Sequence, residues 1–203
     1  MIVPRSFRFV TLSALLAVAG LLCAGCRIDV DKAKNGEDKN VKIDTPLGGL
    51  HVSSDGTTAA DIGLPVYPGA QLNEDKQGDK SADIHFGFGD WQFRLKVVKY
   101  KSSDPPDKVL AFYKKSLGRY GDVIQCSGKT AVGSPTMTSE GLTCDDSGSS
   151  HQVNLDESQS LKAGSKHHQH IVGIEKSDGS GTVFSLVELD LPANSDGGKA
   201  QTN

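Results

Sequence analysis

The sequence predicts an α+β fold, in which an antiparallel β-sheet has one amphipathic helix packed on one face. Three observations lead to this prediction. Three stretches have apolar residues at alternate positions, one stretch between them has apolar residues three and four apart, and no repeat of solenoid period occurs. The 203-residue chain is rich in glycine and polar near its C-terminus. We therefore expect one core domain of about 130 residues with flexible flanks.

The first predicted hairpin and its loop occupy residues 41–60. Apolar residues alternate on both sides of a Pro-Leu-Gly-Gly turn, and small polar residues follow. These apolar residues are Val41, Ile43, Leu50 and Val52. Residues 61–191 form the predicted α+β domain. It opens with "IGLPVYPGA", whose two prolines exclude a helix and a central strand, so we expect an extended segment packed on the core.

The clearest strand pattern is in "SADIHFGFGDWQFRLKVVKYK". Apolar residues alternate with polar ones on both sides of Gly89-Asp90, which predicts an antiparallel hairpin with one apolar face and one face in water. Core packing explains this alternation. An alternative is that the aromatic residues line a groove between helix and sheet for an apolar ligand. These residues are Phe86, Phe88, Trp91 and Phe93.

The clearest helix is in "SSDPPDKVLAFYKKSLGRYGD". Ser103 or Asp104 can cap its first turn, and Asp107 lies near the positive end of the helix dipole. The residues spaced for one buried face are Val109, Phe112, Tyr113, Leu117 and Tyr120.

Shorter strands are predicted after the helix, at Val123–Cys126 and at Leu142–Cys144. A last hairpin is predicted around Asp178-Gly179, because Asp-Gly favours a tight hairpin turn. Residues 192–203 are small and polar, and we expect a disordered tail there.

The N-terminal segment has the pattern of a secretory signal. Arg5 and Arg8 precede an apolar run of about 17 residues that ends in "LLCAGC". Ala24-Gly25-Cys26 resembles the lipobox of bacterial lipoproteins, in which the cysteine thiol receives acyl chains such as palmitate and the chain is cut before that cysteine. Cys23 departs from the resemblance, since the motif prefers Leu at that position.

The lipobox resemblance implies that residues 1–25 are removed and that acyl chains on Cys26 attach the protein to a membrane of the cell envelope. Arg27 in place of Asp then favours the outer membrane over the extracytoplasmic face of the cell membrane. Two alternatives remain. The apolar run could stay as an anchor, although a spanning helix needs roughly 20 residues. The C-x-x-C could be a redox pair, which would have to open a helix of a folded domain.

Residues 26–40 are predicted to be the lipidated cysteine and a charged tether. Without residues 1–25 the chain has 20 basic and 25 acidic residues, a net charge of −5 with histidine neutral. This acidic balance argues against a nucleic-acid partner and against a polybasic attachment to anionic lipid.

Cys126 and Cys144 are the two cysteines that remain after cleavage and lipidation. Disulfides persist outside the cytoplasm, so we predict that these two pair. Closing a loop of this length contributes roughly 3 kcal/mol. The alternative is a pair of buried free thiols; a zinc site is disfavoured because no other ligand stands beside either cysteine.

The sequence "KHHQH" contains the one cluster that suggests metal binding. On a strand, His168 and His170 project from the same face, about 7 Å apart at Cα. Two imidazoles can hold a divalent ion if a third ligand arrives from elsewhere, such as His151 or a carboxylate. The alternative is a hydrated strand end without a metal.

Two stretches together resemble a group of uncharacterised bacterial secreted proteins and lipoproteins. "GLPVYPGA" matches a P-x-Y-P-G-A segment, and "DKVLAFYKKSL" matches a D-K-V-x-x-F-Y helix. The resemblance covers roughly residues 62–126 and implies a compact envelope domain with no known reaction. The matching residues are Pro65, Tyr67, Pro68, Gly69, Phe112 and Tyr113.

No catalytic signature is present: there is no nucleophile elbow, H-E-x-x-H, P-loop or complete dinucleotide-binding glycine motif. We therefore expect a non-enzymatic, lipid-anchored envelope protein without a cofactor, which serves as an interaction or accessory module for an unknown envelope partner. The alternatives are a carrier of an apolar ligand and a metal-binding protein or metal-dependent enzyme that uses His168 and His170.

Overall fold

The computed structural model describes residues 26–32, 38–54, 56–74, 80–145, 158–177 and 181–192. They form one antiparallel sheet of eleven strands and a single α-helix. The predicted antiparallel sheet is therefore confirmed, and the helix packs on one side of it. The balance differs from the α+β prediction, because within the described residues the fold is mostly β. The predicted signal segment (residues 1–25), His151 and residues 193–203 lie outside the described ranges.

The strands and the helix follow the chain in a simple order. The strands are β1 (Arg27–Lys32), β2 (Asp38–Thr45), β3 (Gly48–Ser54), β4 (Gln71–Leu72), β5 (Ser81–Phe88), β6 (Trp91–Ser102), β7 (Ile124–Ser127), β8 (Thr130–Ala131), β9 (Gln159–Gly164), β10 (His168–Ser177) and β11 (Thr182–Asp190). The helix α1 (Pro106–Leu117) stands between β6 and β7 and continues into a 3₁₀ turn at Gly118–Tyr120.

Neighbouring strands in the sheet follow the order β1-β2-β3-β5-β6-β11-β10-β9-β7-β8, with β4 paired to β6. All pairs are antiparallel. The three predicted hairpins are confirmed as β2–β3, β5–β6 and β10–β11. Because β3 pairs with β5, the first hairpin belongs to the same sheet as the rest of the chain.

The C-terminal half of the sheet, from the end of β6 through β11, β10 and β9, packs against α1. Val109, Tyr113 and Leu117 of the helix are completely buried, as the spacing predicts, whereas Phe112 is half-buried. The sheet residues that share this core are Val98, Tyr100, Leu161, Ala163, Val172, Ile174, Phe184 and Leu186. Burial of these side chains supplies the main driving force for folding.

Hydrogen bonds of two tyrosine hydroxyls connect the extended segment before β4 to this core. The Tyr113 hydroxyl donates to the carbonyl oxygen of Pro65 at 3.1 Å and accepts a hydrogen bond from the backbone N–H of Tyr67 at 3.1 Å. The Tyr67 hydroxyl in turn donates to Asp104 at 2.8 Å. Buried backbone groups of a proline-rich segment have no sheet partner, and Tyr113 supplies one.

The N-terminal half, β1, β2, β3, β5 and the start of β6, has its apolar residues on the opposite side. We call the side opposite α1 the open face. Two rows of apolar side chains cross five neighbouring strands there. The rows are Ile28, Ile43, Leu50, Phe86 and Phe93, and Val30, Val41, Val52, Ile84 and Leu95.

Strand β6 belongs to both halves, and the side of the sheet on which its apolar residues lie differs between its two ends. Leu95 and Val97 lie on the open face, whereas Val98 and Tyr100 lie on the helix side. Side chains alternate along a strand, so the apolar doublet Val97-Val98 places one apolar side chain on each side. Beyond this doublet, apolar side chains lie on both sides of the sheet, since Ile171, Val187 and Leu189 are buried on the side opposite α1.

Several predicted details differ from the structure. Residues 27–32 and 38–40, expected to belong to a tether, lie in β1 and β2, because strand pairing satisfies their backbone groups while the charged side chains of Arg27, Asp29 and Asp31 are exposed. The helix N-cap is Pro105 and makes no side-chain cap, so neither Ser103 nor Asp104 caps it. Residues 142–144 form no strand, and β8 pairs with β7 instead.

Within the described residues, no helix is long and apolar enough to cross a membrane.

Candidate functional sites on the two sides of the sheet

The predicted lipidation site stands at one end of the open face. Cys26 is exposed, is not part of a disulfide, and immediately precedes β1. The first pair of β1 and β2 is Arg27 with Asp44, so Cys26 lies beside the turn between β2 and β3. That turn is adjacent to the β5–β6 turn, because Gly48 pairs with Phe88.

Exposed apolar side chains gather at this end of the sheet. We call them the anchor patch: Ile28, Leu47, Phe86 and Phe88, which are 64%, 70%, 42% and 54% exposed. Phe86 packs edge-on against Trp91, with ring centroids 5.4 Å apart. Exposed apolar side chains gathered beside the predicted acylation site are typical of a contact surface.

The four aromatic residues proposed for a ligand groove all belong to this open face. Phe86 pairs with Phe93, and Phe88 pairs with Trp91. They therefore lie on the side away from α1 and do not line a space between helix and sheet. Three surface cavities formed by the described residues include none of these aromatic side chains in their walls.

The predicted disulfide is confirmed. Cys126 of β7 bonds to Cys144, and the Cα atoms are 5.6 Å apart. Both cysteines are buried beside Ile124 and form a small second core with Ala131. The bond holds the segment around Leu142 against β7 without a strand, since a covalent link replaces a ladder of hydrogen bonds.

The helix side of the sheet continues beyond α1 as two rows of polar side chains, which we call the polar rows. Each row places one residue on each of seven neighbouring strands. The first row is His168, Asp190, Arg94, His85, His51, Lys42 and Asp29, and the second is His170, Glu188, Lys96, Asp83, Ser53, Asn40 and Asp31. A cavity of about 470 Å³ opens over the N-terminal part of these rows.

His168 and His170 project from the same side of β10, as predicted, and their ring centroids are 4.9 Å apart. The register of the sheet adds a carboxylate that sequence reasoning did not identify: Glu188 of β11 stands directly opposite His170. One ligand atom from each of His168, His170 and Glu188 lies within 4.8 Å of the others. Asp190 stands opposite His168 and is paired with its Nδ1.

His170 is held in a rigid, dry position. It is 2% exposed, and the Tyr120 ring stacks on it with centroids 3.6 Å apart. Burial, and then the neighbouring His168, lower the pKa of His170 to about 4, so its imidazole is neutral at pH 7. Its Nδ1 is buried and has no hydrogen-bond partner in the part of the chain that the structure describes.

Glu188 is also fixed by a cation. Its Oε2 pairs with Lys96 Nζ at 2.5 Å, and the side chains of both residues are about 15% exposed or less. Lys96 donates a second hydrogen bond to the carbonyl oxygen of Asp61 at 2.9 Å. The Oε1 of Glu188 faces His168 Nε2 at 3.9 Å. A carboxylate oxygen and two imidazoles therefore converge, while the charge of Glu188 is balanced by Lys96.

No protein-family model, curated protein or solved structure matches the chain.

Proposed function

We propose that the chain is a lipid-anchored, non-enzymatic interaction or accessory module of the cell envelope. The observation that carries this proposal is the position of Cys26, which is exposed and adjoins the anchor patch at the same end of the sheet. Acyl chains on Cys26 would bring this end of the sheet against a lipid leaflet. The confirmed disulfide supports the proposal, since disulfides persist outside the cytoplasm.

The mechanism has two parts. The acyl chains supply most of the attachment, because two or three chains hold a protein stably whereas one chain binds marginally. The anchor patch then sets how the sheet meets the leaflet, with Phe86, Phe88 and Trp91 in the interfacial region that aromatic side chains favour. The polar rows face the other way and remain available to an envelope protein, which is the partner that this proposal expects.

The testing experiment is the intact mass of the protein extracted from membranes, measured before and after reduction. We expect a chain that begins at Cys26, carries acyl mass, and gains about two mass units on reduction of Cys126–Cys144. The matched control is Cys26→Ser, which should lose the acyl mass while it keeps the disulfide. An unmodified chain that still begins at Met1 would refute lipidation, and with it the proposed function.

A further inference from the structure

We propose that His168, His170 and Glu188 form a binding site for a divalent transition-metal ion such as Zn²⁺. Each residue offers one ligand atom, and these atoms lie within 4.8 Å of one another. Two imidazoles and one carboxylate are a common ligand set for zinc when a fourth position stays open. This inference does not depend on lipidation, since all three residues stand on the hairpin β10–β11.

The arrangement around His168 selects the nitrogen that can bind the ion. Asp190 is paired with Nδ1 of His168. A carboxylate only accepts hydrogen bonds, so Nδ1 of the neutral ring carries the proton and Nε2 keeps its lone pair. This Nε2 is the atom that faces Oε1 of Glu188. A carboxylate that orients a metal-binding histidine in this way is a frequent feature of zinc sites.

The three ligand atoms lie within 4.8 Å of one another, so ion binding requires them to move closer together. Two ligand atoms on a tetrahedral zinc ion, with bonds of about 2.0–2.1 Å, lie about 3.3 Å apart. His168 Nε2 and Glu188 Oε1 are 3.9 Å apart. The His168 side chain is 50% exposed, so it can rotate to close this gap and it leaves a water-accessible side for a fourth ligand.

His170 provides the fixed point of the site. It is 2% exposed, is stacked on Tyr120, and has a buried Nδ1 without a partner among the described residues. A buried polar atom without a partner calls for an explanation, and a bound ion is one of the few that apply. Lys96 opposes cation binding, but it pairs with the other oxygen of Glu188 and also with the Asp61 carbonyl, so Oε1 stays free.

The experiment is a Zn²⁺ titration of the full chain, purified in detergent without a histidine tag and stripped with a chelator, using a competing chelator to measure affinity. We expect one Zn²⁺ per chain and no binding of Mg²⁺, which prefers oxygen ligands. His168→Ala should weaken binding by at least about 100-fold, and Asp190→Asn by about 10- to 100-fold. Because His168 is half-exposed, its loss should leave the fold intact, which far-UV circular dichroism would verify.

The matched controls are His51→Ala and His85→Ala, which remove exposed histidines of the same polar row on strands distant from β10. They should leave the affinity within about 2-fold of the wild type. Equal binding by His168→Ala and the wild type, or an equal loss in His85→Ala, would overturn the site. Unchanged affinity in Glu188→Gln would overturn the three-ligand set. A Zn²⁺-dependent rise in melting temperature that disappears in His168→Ala would support it independently.

Discussion

The two halves of the sheet differ in how completely their apolar side chains are buried. In the C-terminal half, Val172, Phe184 and Leu186 meet α1 and are completely buried. In the N-terminal half the apolar rows lie on the open face, whereas α1 packs on the other side, and Ile28 and Phe86 remain 64% and 42% exposed. Alternation defines the faces of a strand, but a second layer decides which face becomes core.

The first test of this comparison is a matched pair of aromatic truncations. Phe184→Ala should cost about 3–5 kcal/mol in the free energy of unfolding, because the ring is fully buried and lies within 6.3 Å of the Tyr67, Tyr100 and Tyr113 rings. Phe86→Ala should cost only about 1 kcal/mol, since that ring is already half in water. Urea unfolding with the disulfide intact gives both values; equal costs would mean that the open face is also core.

Removing the disulfide tests how much the C-terminal half depends on its covalent link. Cys126→Ala with Cys144→Ala should lower the free energy of unfolding by about 3 kcal/mol, as expected for a link across 18 residues. The measurement is urea unfolding with and without reductant, in which the double variant should be insensitive to the reductant. Cys26→Ser serves as the control, because its exposed thiol contributes nothing to this core.

The Tyr113 hydroxyl group provides a third test of this comparison. Tyr113→Phe should cost about 1–3 kcal/mol, since the buried N–H of Tyr67 loses its acceptor. Tyr120→Phe is the matched control: its hydroxyl donates to the Gly63 carbonyl, which Arg119 also contacts, so the loss should be smaller. Thermal unfolding of the two variants side by side would show the difference, and a larger loss in Tyr120→Phe would contradict this account of the core.

The smallest effect on stability is expected at the anchor patch, where the effect on membrane binding should be clear. Leu47→Asp with Phe88→Asp should change the free energy of unfolding by no more than about 0.5 kcal/mol per site, because both side chains are mainly exposed. In a Cys26→Ser background, the same changes should reduce co-sedimentation with phospholipid vesicles. Met137→Asp, at an exposed apolar residue elsewhere, should leave co-sedimentation unchanged.

The stretches with strong local patterns were predictable. The helix, the three hairpins and the disulfide were predicted from hydrophobic periodicity, from turn residues and from the number of cysteines, all of which are local or compositional features. Strand β1 was missed because its residues are mainly charged, and charge suggests a solvated tether. Strand β9 was missed because only Leu161 and Ala163 of its residues before Gly164 are apolar, and a pattern this short does not identify a strand.

The histidine cluster was only half predictable. The spacing of His168 and His170 places both on one side of a strand, and the structure brings their rings together. Glu188 and Asp190 lie about 20 residues further along the chain, and their places opposite these histidines depend on the register of β10 and β11. Register is set by turn geometry and by the packing of a whole sheet, so no local pattern identifies the third ligand.

The short distance between Cys26 and β1 bears on how this protein would search for partners. Arg27 already pairs with Asp44 in the sheet, so no flexible linker would separate a lipid on Cys26 from the folded domain. A domain on a long flexible tether samples many orientations and many distances from the membrane surface. With acyl chains on Cys26, this domain would sample a narrower range of orientations and would diffuse in the plane of the membrane, which would raise its effective concentration for neighbours in that plane.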